Sequence, residues 1–141
     1  MPKPLLTLDF DGVIHSYTSG WTDILHIADP PVPGALQFIR DALDHFEVAI
    51  FSPRSATHGG IEAIQNWLVA YELEPEFRER LLWPIAKPMS YLVIDDRALL
   101  FTGNFPEPSR LLGFRPWNKG TAQEAQEFAS LMAEPSHSDD Q

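Results

Sequence analysis

Residues 5–12 read Leu-Leu-Thr-Leu-Asp-Phe-Asp-Gly, and this stretch is the strongest indication of the fold. A short apolar run that stops at an Asp-Gly pair is typical of a buried strand followed by a turn. Two acids, Asp9 and Asp11, fall at the end of this run. We therefore predict a buried strand over residues 4–10 that carries two carboxylates at its carboxyl end.

Downstream, strand patterns alternate with helix patterns. Helices are predicted over residues 34–45 and 61–71, and a final one is opened by the capping box Thr121-Ala-Gln-Glu124. Further strands are predicted over residues 46–51, 81–85, 91–94 and 99–102. This alternation predicts an α/β, Rossmann-like parallel sheet of about five strands flanked by helices. Residues 13–29 suit a short β-flap after the first strand, and no cap domain is expected.

Size and composition bound the possibilities. The 141 residues predict a single domain over 1–133 and a disordered acidic tail over 134–141. The absence of cysteine excludes a disulfide framework and a thiol nucleophile. A net charge of −10 disfavours nucleic-acid binding over most of the surface, although a local basic site is compatible with it.

The first apolar run stops at Asp9, which makes it too short and too acidic for a signal peptide. No other apolar run approaches the length needed to cross a membrane. We therefore expect a cytoplasmic protein with no membrane association and no stable protein partner.

Polar residues accompany the predicted strand ends, and each one alone has an ordinary interpretation as a turn or surface residue. Because parallel strands end at one edge of a sheet, the fold would gather them there, where such sheets bind ligands. Carboxylates crowded together repel one another unless a cation lies among them, and Mg²⁺ prefers oxygen ligands. The residues in question are Asp9, Asp11, Ser52, Lys87, Asp95 and Asp96.

The order Asp-x-Asp-Gly-Val, Ser, Lys, Asp-Asp resembles the haloacid dehalogenase-like superfamily of phosphotransferases and phosphatases, over about residues 5–102. The resemblance implies that Asp9 is the nucleophile and that Asp11 is the general acid and base. It also implies that Ser52 contacts the transferring phosphoryl group and that Lys87 offsets negative charge.

The same resemblance implies a Mg²⁺ cofactor. Its ligands would be Asp9, the main-chain carbonyl of Asp11, and the acidic pair Asp95 and Asp96. Within that pair, Asp96 is favoured as the direct ligand, and Asp95 would lie next to the ligands without contacting the metal.

Two further motifs resemble the phosphatase domain of phage polynucleotide kinase. Ser52-Pro53-Arg54 is similar to its Ser-Gly-Arg pattern, and Asp95-Asp96-Arg97 to its Asp-Asp-Arg pattern. Pro53 departs from the first pattern, and Val13 replaces the Thr that is more common after Asp-Gly. We predict substrate contacts from Gly12, Arg54 and Arg97; the alternative for the two arginines is an ordinary surface charge.

Three side chains of the predicted flap are candidates for substrate contact: Tyr17, Trp21 and His15. Tyr17 and Trp21 suit either contact with a base or sugar or coverage of the core. His15 suits a contact with substrate, but an isolated histidine in such a flap is more often incidental.

These features predict Mg²⁺-dependent hydrolysis of phosphomonoesters through an aspartyl-phosphate intermediate. Asp11 and Ser52 are 41 residues apart, and Ser52 and Lys87 are 35 apart, which leaves no room for a cap. An open site favours a macromolecular substrate such as a nucleic-acid end. A phosphoprotein or small-metabolite phosphatase and a catalytically silent binding module remain alternatives. A signalling receiver domain is disfavoured, because its acidic pair follows the first strand.

Overall fold

A computed structural model describes residues 2–134, and the chain divides between Asp95 and Asp96 into two units. In the first unit, three strands are connected by three helices. The strands are β1 (Leu5–Leu8), β2 (Glu47–Ile50) and β3 (Leu92–Ile94). The helices are α1 (Ala35–Ala42), α2 (Gly60–Ala70) and α3 (Pro75–Arg78).

The three strands form a parallel sheet in the order β2-β1-β3, with Leu6 opposite both Val48 and Leu92. β1 is the central strand, and its residues Leu6, Thr7 and Leu8 are at most 2% exposed. A strand covered on both faces needs a nearly continuous apolar run, which explains the sequence of residues 5–8. The predicted α/β class with a parallel sheet is confirmed.

The sheet described here has three strands, whereas about five were predicted. Leu82 makes only an isolated bridge to Ala49, in which its N–H donates to the Val48 carbonyl at 2.9 Å. Pro84 follows two residues later and has no N–H to continue the ladder. Residues 99–102 form no strand, and Gly103, at φ 101°, turns the chain directly after them.

Helices α1 and α2 contribute apolar side chains at helical spacing to the core of the first unit. Those on α2 are Ile64, Trp67 and Leu68, each at most 6% exposed. The start of α2 is pressed against an earlier turn. A Cβ added to Gly60 would lie 1.8 Å from the Arg54 carbonyl oxygen, so only glycine permits this approach.

The predicted β-flap is reduced to isolated bridges: residues 13–29 contain no strand, and His15 makes a single antiparallel bridge to Pro31. The Phe10 carbonyl instead accepts hydrogen bonds from the N–H groups of Val13, Ile14 and His15, at 3.2, 3.0 and 2.9 Å, in a tight turn. Further along, side chains satisfy the backbone: the Asp29 carboxylate accepts from the Ser19 N–H at 2.8 Å. Backbone groups that are bonded in this way are not available for a strand ladder.

In the second unit, the main element is α4 (Ala122–Ala133). The Thr121 hydroxyl oxygen accepts from the Glu124 N–H at 3.1 Å, which confirms Thr121 as the predicted N-cap. The rings of Phe114 and Phe128 meet at 5.6 Å between centroids. Residues 135–141 of the predicted tail lie outside the described part of the chain. Over residues 2–134, no helix is long and apolar enough to cross a membrane.

Candidate active site

Three predicted metal ligands lie together at the carboxyl edge of the sheet. The Asp9 N–H donates to the Ile94 carbonyl at 2.9 Å, so the pairing of β1 with β3 continues past the end of β1. This register brings Asp9 beside Asp95, and Asp96 follows through its peptide bond. One carboxylate oxygen from each of these three residues lies within 4.8 Å of the others.

The donor set of this cluster fits a hard divalent cation. All three donors are carboxylate oxygens, which are the ligands that Mg²⁺ and Ca²⁺ take in proteins. Asp9 is half-buried and Asp95 is exposed, so the cluster is accessible from solvent. The Asp11 carboxylate does not belong to the cluster, and a metal contact from its main-chain carbonyl stays a prediction.

Asp11 is held by two side chains, one on each carboxylate oxygen. His15 Nδ1 lies 2.8 Å from Oδ1, and the Arg54 Nε–H donates to Oδ2 at 2.9 Å. Burial acts to raise the pKa of Asp11, but the hydrogen bonds from His15 and Arg54, with the charge of Arg54, outweigh it and hold the pKa below its usual 3.8. Asp11 is therefore a carboxylate of fixed orientation at neutral pH.

The proton on the His15 ring can be located from its neighbours. The Asp29 N–H donates to Nε2 at 3.0 Å, so Nε2 must carry a lone pair. The Asp29 carboxylate oxygen nearest Nε2 is 3.6 Å away, beyond hydrogen-bond distance, and this carboxylate is instead bonded by Ser19. His15 is thus the neutral tautomer with its proton on Nδ1, and it donates that proton to Asp11.

Arg54 is only 1% exposed, so the alternative interpretation of this residue as a surface charge is wrong. Besides Asp11, its guanidinium donates through Nη1 to the carbonyls of Asp23 and Ile24, at 2.6 Å each. The Trp21 ring covers it, with 4.9 Å between Cζ and the ring centroid, and Trp21 itself is 54% exposed. Arg54 therefore joins Asp11 to residues 21–24, and its predicted contact with substrate remains untested.

Ser52 and Lys87, the other two predicted catalytic residues, differ in their surroundings. Ser52 is fully buried, and its Oγ accepts from the Arg54 N–H at 3.1 Å as the cap of a 3₁₀ turn over Pro53–Ala56. Lys87 is exposed and forms no hydrogen bond or ion pair with any residue between 2 and 134. The structure therefore ties Ser52 to the Arg54 turn, whereas it gives Lys87 no bond to the acidic residues.

Two predicted substrate contacts are not settled by the geometry. Gly12 has a φ of 86°, and its N–H donates to the His15 carbonyl at 2.8 Å, so this glycine shapes the turn that carries Asp11. Arg97 is exposed and belongs to the second unit. A contact of either residue with substrate stays a prediction.

His15 is the residue whose contact with Asp11 sequence reasoning missed. Its ring is 1% exposed and is stacked on Phe10 at 5.5 Å between centroids, with the Trp67 indole meeting it edge-on at 5.8 Å. The available signal was its spacing, since a residue four positions after Asp11 can be returned to it by a tight turn. Interpreting this segment as a flap removed that possibility.

Comparisons of the chain with protein-family models, with curated proteins and with solved structures each find no match. The functional argument therefore rests on the residues of the site and on their arrangement.

Proposed function

We propose that this protein is a Mg²⁺-dependent phosphomonoester hydrolase of the haloacid dehalogenase-like type. The observation that carries the proposal is the meeting of Asp9, Asp95 and Asp96 within 4.8 Å, at the carboxyl ends of neighbouring parallel strands. In the order β2-β1-β3 the chain leaves β1 to one side and returns on the other. Such a switch point is where open α/β sheets bind ligands.

In the proposed reaction, an Asp9 carboxylate oxygen attacks phosphorus and forms an aspartyl-phosphate while the ester P–O bond breaks. The leaving oxygen takes the electron pair of that bond and a proton from Asp11, which, being a carboxylate in the free protein, first takes that proton from solvent. Water then gives a proton to Asp11 and attacks phosphorus, so the bond between Asp9 and phosphorus breaks. Inorganic phosphate leaves, Asp9 is again a carboxylate, and Asp11 releases to solvent the proton that it took from water.

Asp9, Asp95 and Asp96 would hold the Mg²⁺ ion. The ion supplies charge neutralisation between the carboxylate nucleophile and the phosphate dianion. Ser52 and Lys87 are proposed to add a donor and a positive charge for the phosphoryl oxygens. For Lys87 this requires a change from its present exposed position without an ion pair.

The substrate we propose is macromolecular, with a nucleic-acid end favoured. In the described chain, α1 lies between β1 and β2, and a 3₁₀ turn, α2 and α3 lie between β2 and β3, so no inserted domain encloses the site. The exposed face of Trp21 beside Arg54 offers a stacking surface for a base. The negative net charge limits such binding to a local contact.

The deciding experiment measures phosphate release from p-nitrophenyl phosphate and from 3′- and 5′-phosphorylated oligonucleotides, with Mg²⁺ and with EDTA. Asp9→Asn is expected to abolish turnover, since the amide has nearly the same shape as the carboxylate but is not a nucleophile. Asp44→Asn, an exposed acid after α1, is the matched control and should retain wild-type turnover. Turnover within tenfold of wild type in folded Asp9→Asn would contradict the assigned nucleophile.

A phosphopeptide and a sugar phosphate in the same screen test the phosphoprotein and metabolite alternatives. Mg²⁺ binding without turnover on any substrate would favour the silent binding module. The proposal also includes a cytoplasmic location, which cell fractionation tests. It further includes the larger sheet of about five strands that is typical of the superfamily.

A further inference from the structure

The imidazole of His15 lies next to Asp11 and is fully hydrogen-bonded. Both of its ring nitrogens are hydrogen-bonded within the first unit, to Asp11 and to the Asp29 N–H. Its ring is also fixed by Phe10 and by the indole of Trp67. The Trp67 Nε1–H donates to the Asp29 carbonyl at 3.0 Å, which ties α2 to the same peptide segment.

We propose that His15 is a positioning residue for Asp11, acting together with Arg54. The Asp11 carboxylate can rotate only if it loses Nδ1–H of His15 on one oxygen or Nε–H of Arg54 on the other. Asp11 retains 16% side-chain exposure, so a reacting group can still approach it. His15 thereby sets the direction from which Asp11 exchanges protons, and it touches neither substrate nor metal itself.

The chain of bonds also explains why the imidazole has one defined tautomer. The Asp29 N–H is a fixed donor, and it can bond to Nε2 only when that nitrogen is unprotonated. The remaining proton must then lie on Nδ1, where it faces Asp11. A glutamine amide can likewise donate one hydrogen bond and accept another, whereas methionine, of similar size, can do neither.

Since the catalytic part of this inference rests on the proposed function, its first test does not require activity. Nitrogen-15 NMR of the histidine side chains in the wild-type protein at neutral pH should show His15 protonated at Nδ1 and unprotonated at Nε2. Protonation at Nε2 alone would overturn the inference, whatever the enzyme assays show.

The second test is a double-mutant cycle, with kcat/KM on p-nitrophenyl phosphate and Mg²⁺ as the readout. His15→Phe keeps a ring against Phe10 and Trp67 but removes both hydrogen bonds. With Asp11 intact, it is expected to lower kcat/KM by about 10²-fold, the lower end of what a general acid–base group contributes. In the Asp11→Asn background, the same change is expected to cost less than about threefold, because the residue it positions is already disabled.

An equal loss of kcat/KM in both backgrounds would mean that His15 is merely structural. If His15→Phe loses no activity in the protein with Asp11 intact, the positioning role is excluded. If His15→Phe does not fold, His15→Gln and His15→Met take its place. Gln is expected to recover most of the activity and Met is not; equal activity of the two would overturn the proposal. A wild-type protein without phosphatase activity would refute the proposed function, while the tautomer measurement would still decide the hydrogen-bond arrangement.

Discussion

Substituting alanine for Gly60 should disturb the candidate site from outside it. The added Cβ would lie 1.8 Å from the Arg54 carbonyl oxygen, where real Cβ atoms keep at least 3.0 Å, so the two must separate by about 1.2 Å. The neighbouring atoms are backbone, which cannot move aside as a flexible side chain would. Overpacking of this kind costs about 1–3 kcal/mol, and alanine's better helix propensity returns less than about 1 kcal/mol.

The displacement of the Arg54 backbone should also lower the catalytic activity. Arg54 holds Asp11 through a hydrogen bond of 2.9 Å, and a shift of about 1 Å at a positioning group can cost about 10²-fold in rate. Urea unfolding followed by tryptophan fluorescence measures the first effect, as a lower midpoint at unchanged slope. The kcat/KM on p-nitrophenyl phosphate measures the second.

Gly113→Ala is the matched control, because an added Cβ there meets no atom within 4 Å. Its free energy of unfolding, measured in urea, should stay within about 0.5 kcal/mol of that of wild type. A Gly60→Ala protein with a midpoint at or above that of wild type would refute the close approach of α2 to the Arg54 turn.

Three further outcomes are expected. Mg²⁺ at about 100 times its dissociation constant should stabilise the protein by about 2.7 kcal/mol and raise Tm; an equal rise in Asp96→Asn would mean that the ion binds elsewhere. Burial acts to raise the pKa of Asp29, but hydrogen bonds from Ser19 hold it below its usual 3.8. The charged form of Asp29 thus stabilises the fold above that value, and the stability gap between wild type and Asp29→Asn in urea should close as pH falls through the folded pKa; a gap independent of pH would contradict this. Trp21→Ala should lower kcat/KM on a phosphorylated oligonucleotide about tenfold, with Trp21→Phe close to wild type and a sugar phosphate unaffected; equal losses on both substrates would mean that Trp21 only covers Arg54.

The three strands of the sheet, and through them the acidic cluster at their ends, could be predicted from the sequence. The core strand over residues 5–8 is apolar because it is buried on both faces, and that property is visible in the sequence. The meeting of Asp9 with Asp95 then follows from topology, since parallel strands end at one edge. The N-cap at Thr121 was likewise predictable, because capping involves residues only three apart.

The number of strands could not be predicted in the same way. A strand exists only where a neighbour accepts and donates its hydrogen bonds, and for Leu82 that pairing ends after one bridge. The prediction of a two-stranded flap after β1 was inaccurate for a related reason. The backbone groups of this segment bond to side chains such as Asp29 and Arg54, and no hydrophobic periodicity reports such bonds.

Only the tertiary structure decides the roles of His15 and Arg54. A buried cation is tolerated when a partner compensates its lost hydration, and the partner of Arg54 is Asp11, 43 residues earlier in the chain. His15 is enclosed by Trp67 and bonded to the Asp29 N–H, both of which reach it through folding. Sequence patterns report which surfaces are apolar, whereas the burial of a polar group depends on distant partners that only the folded chain brings together.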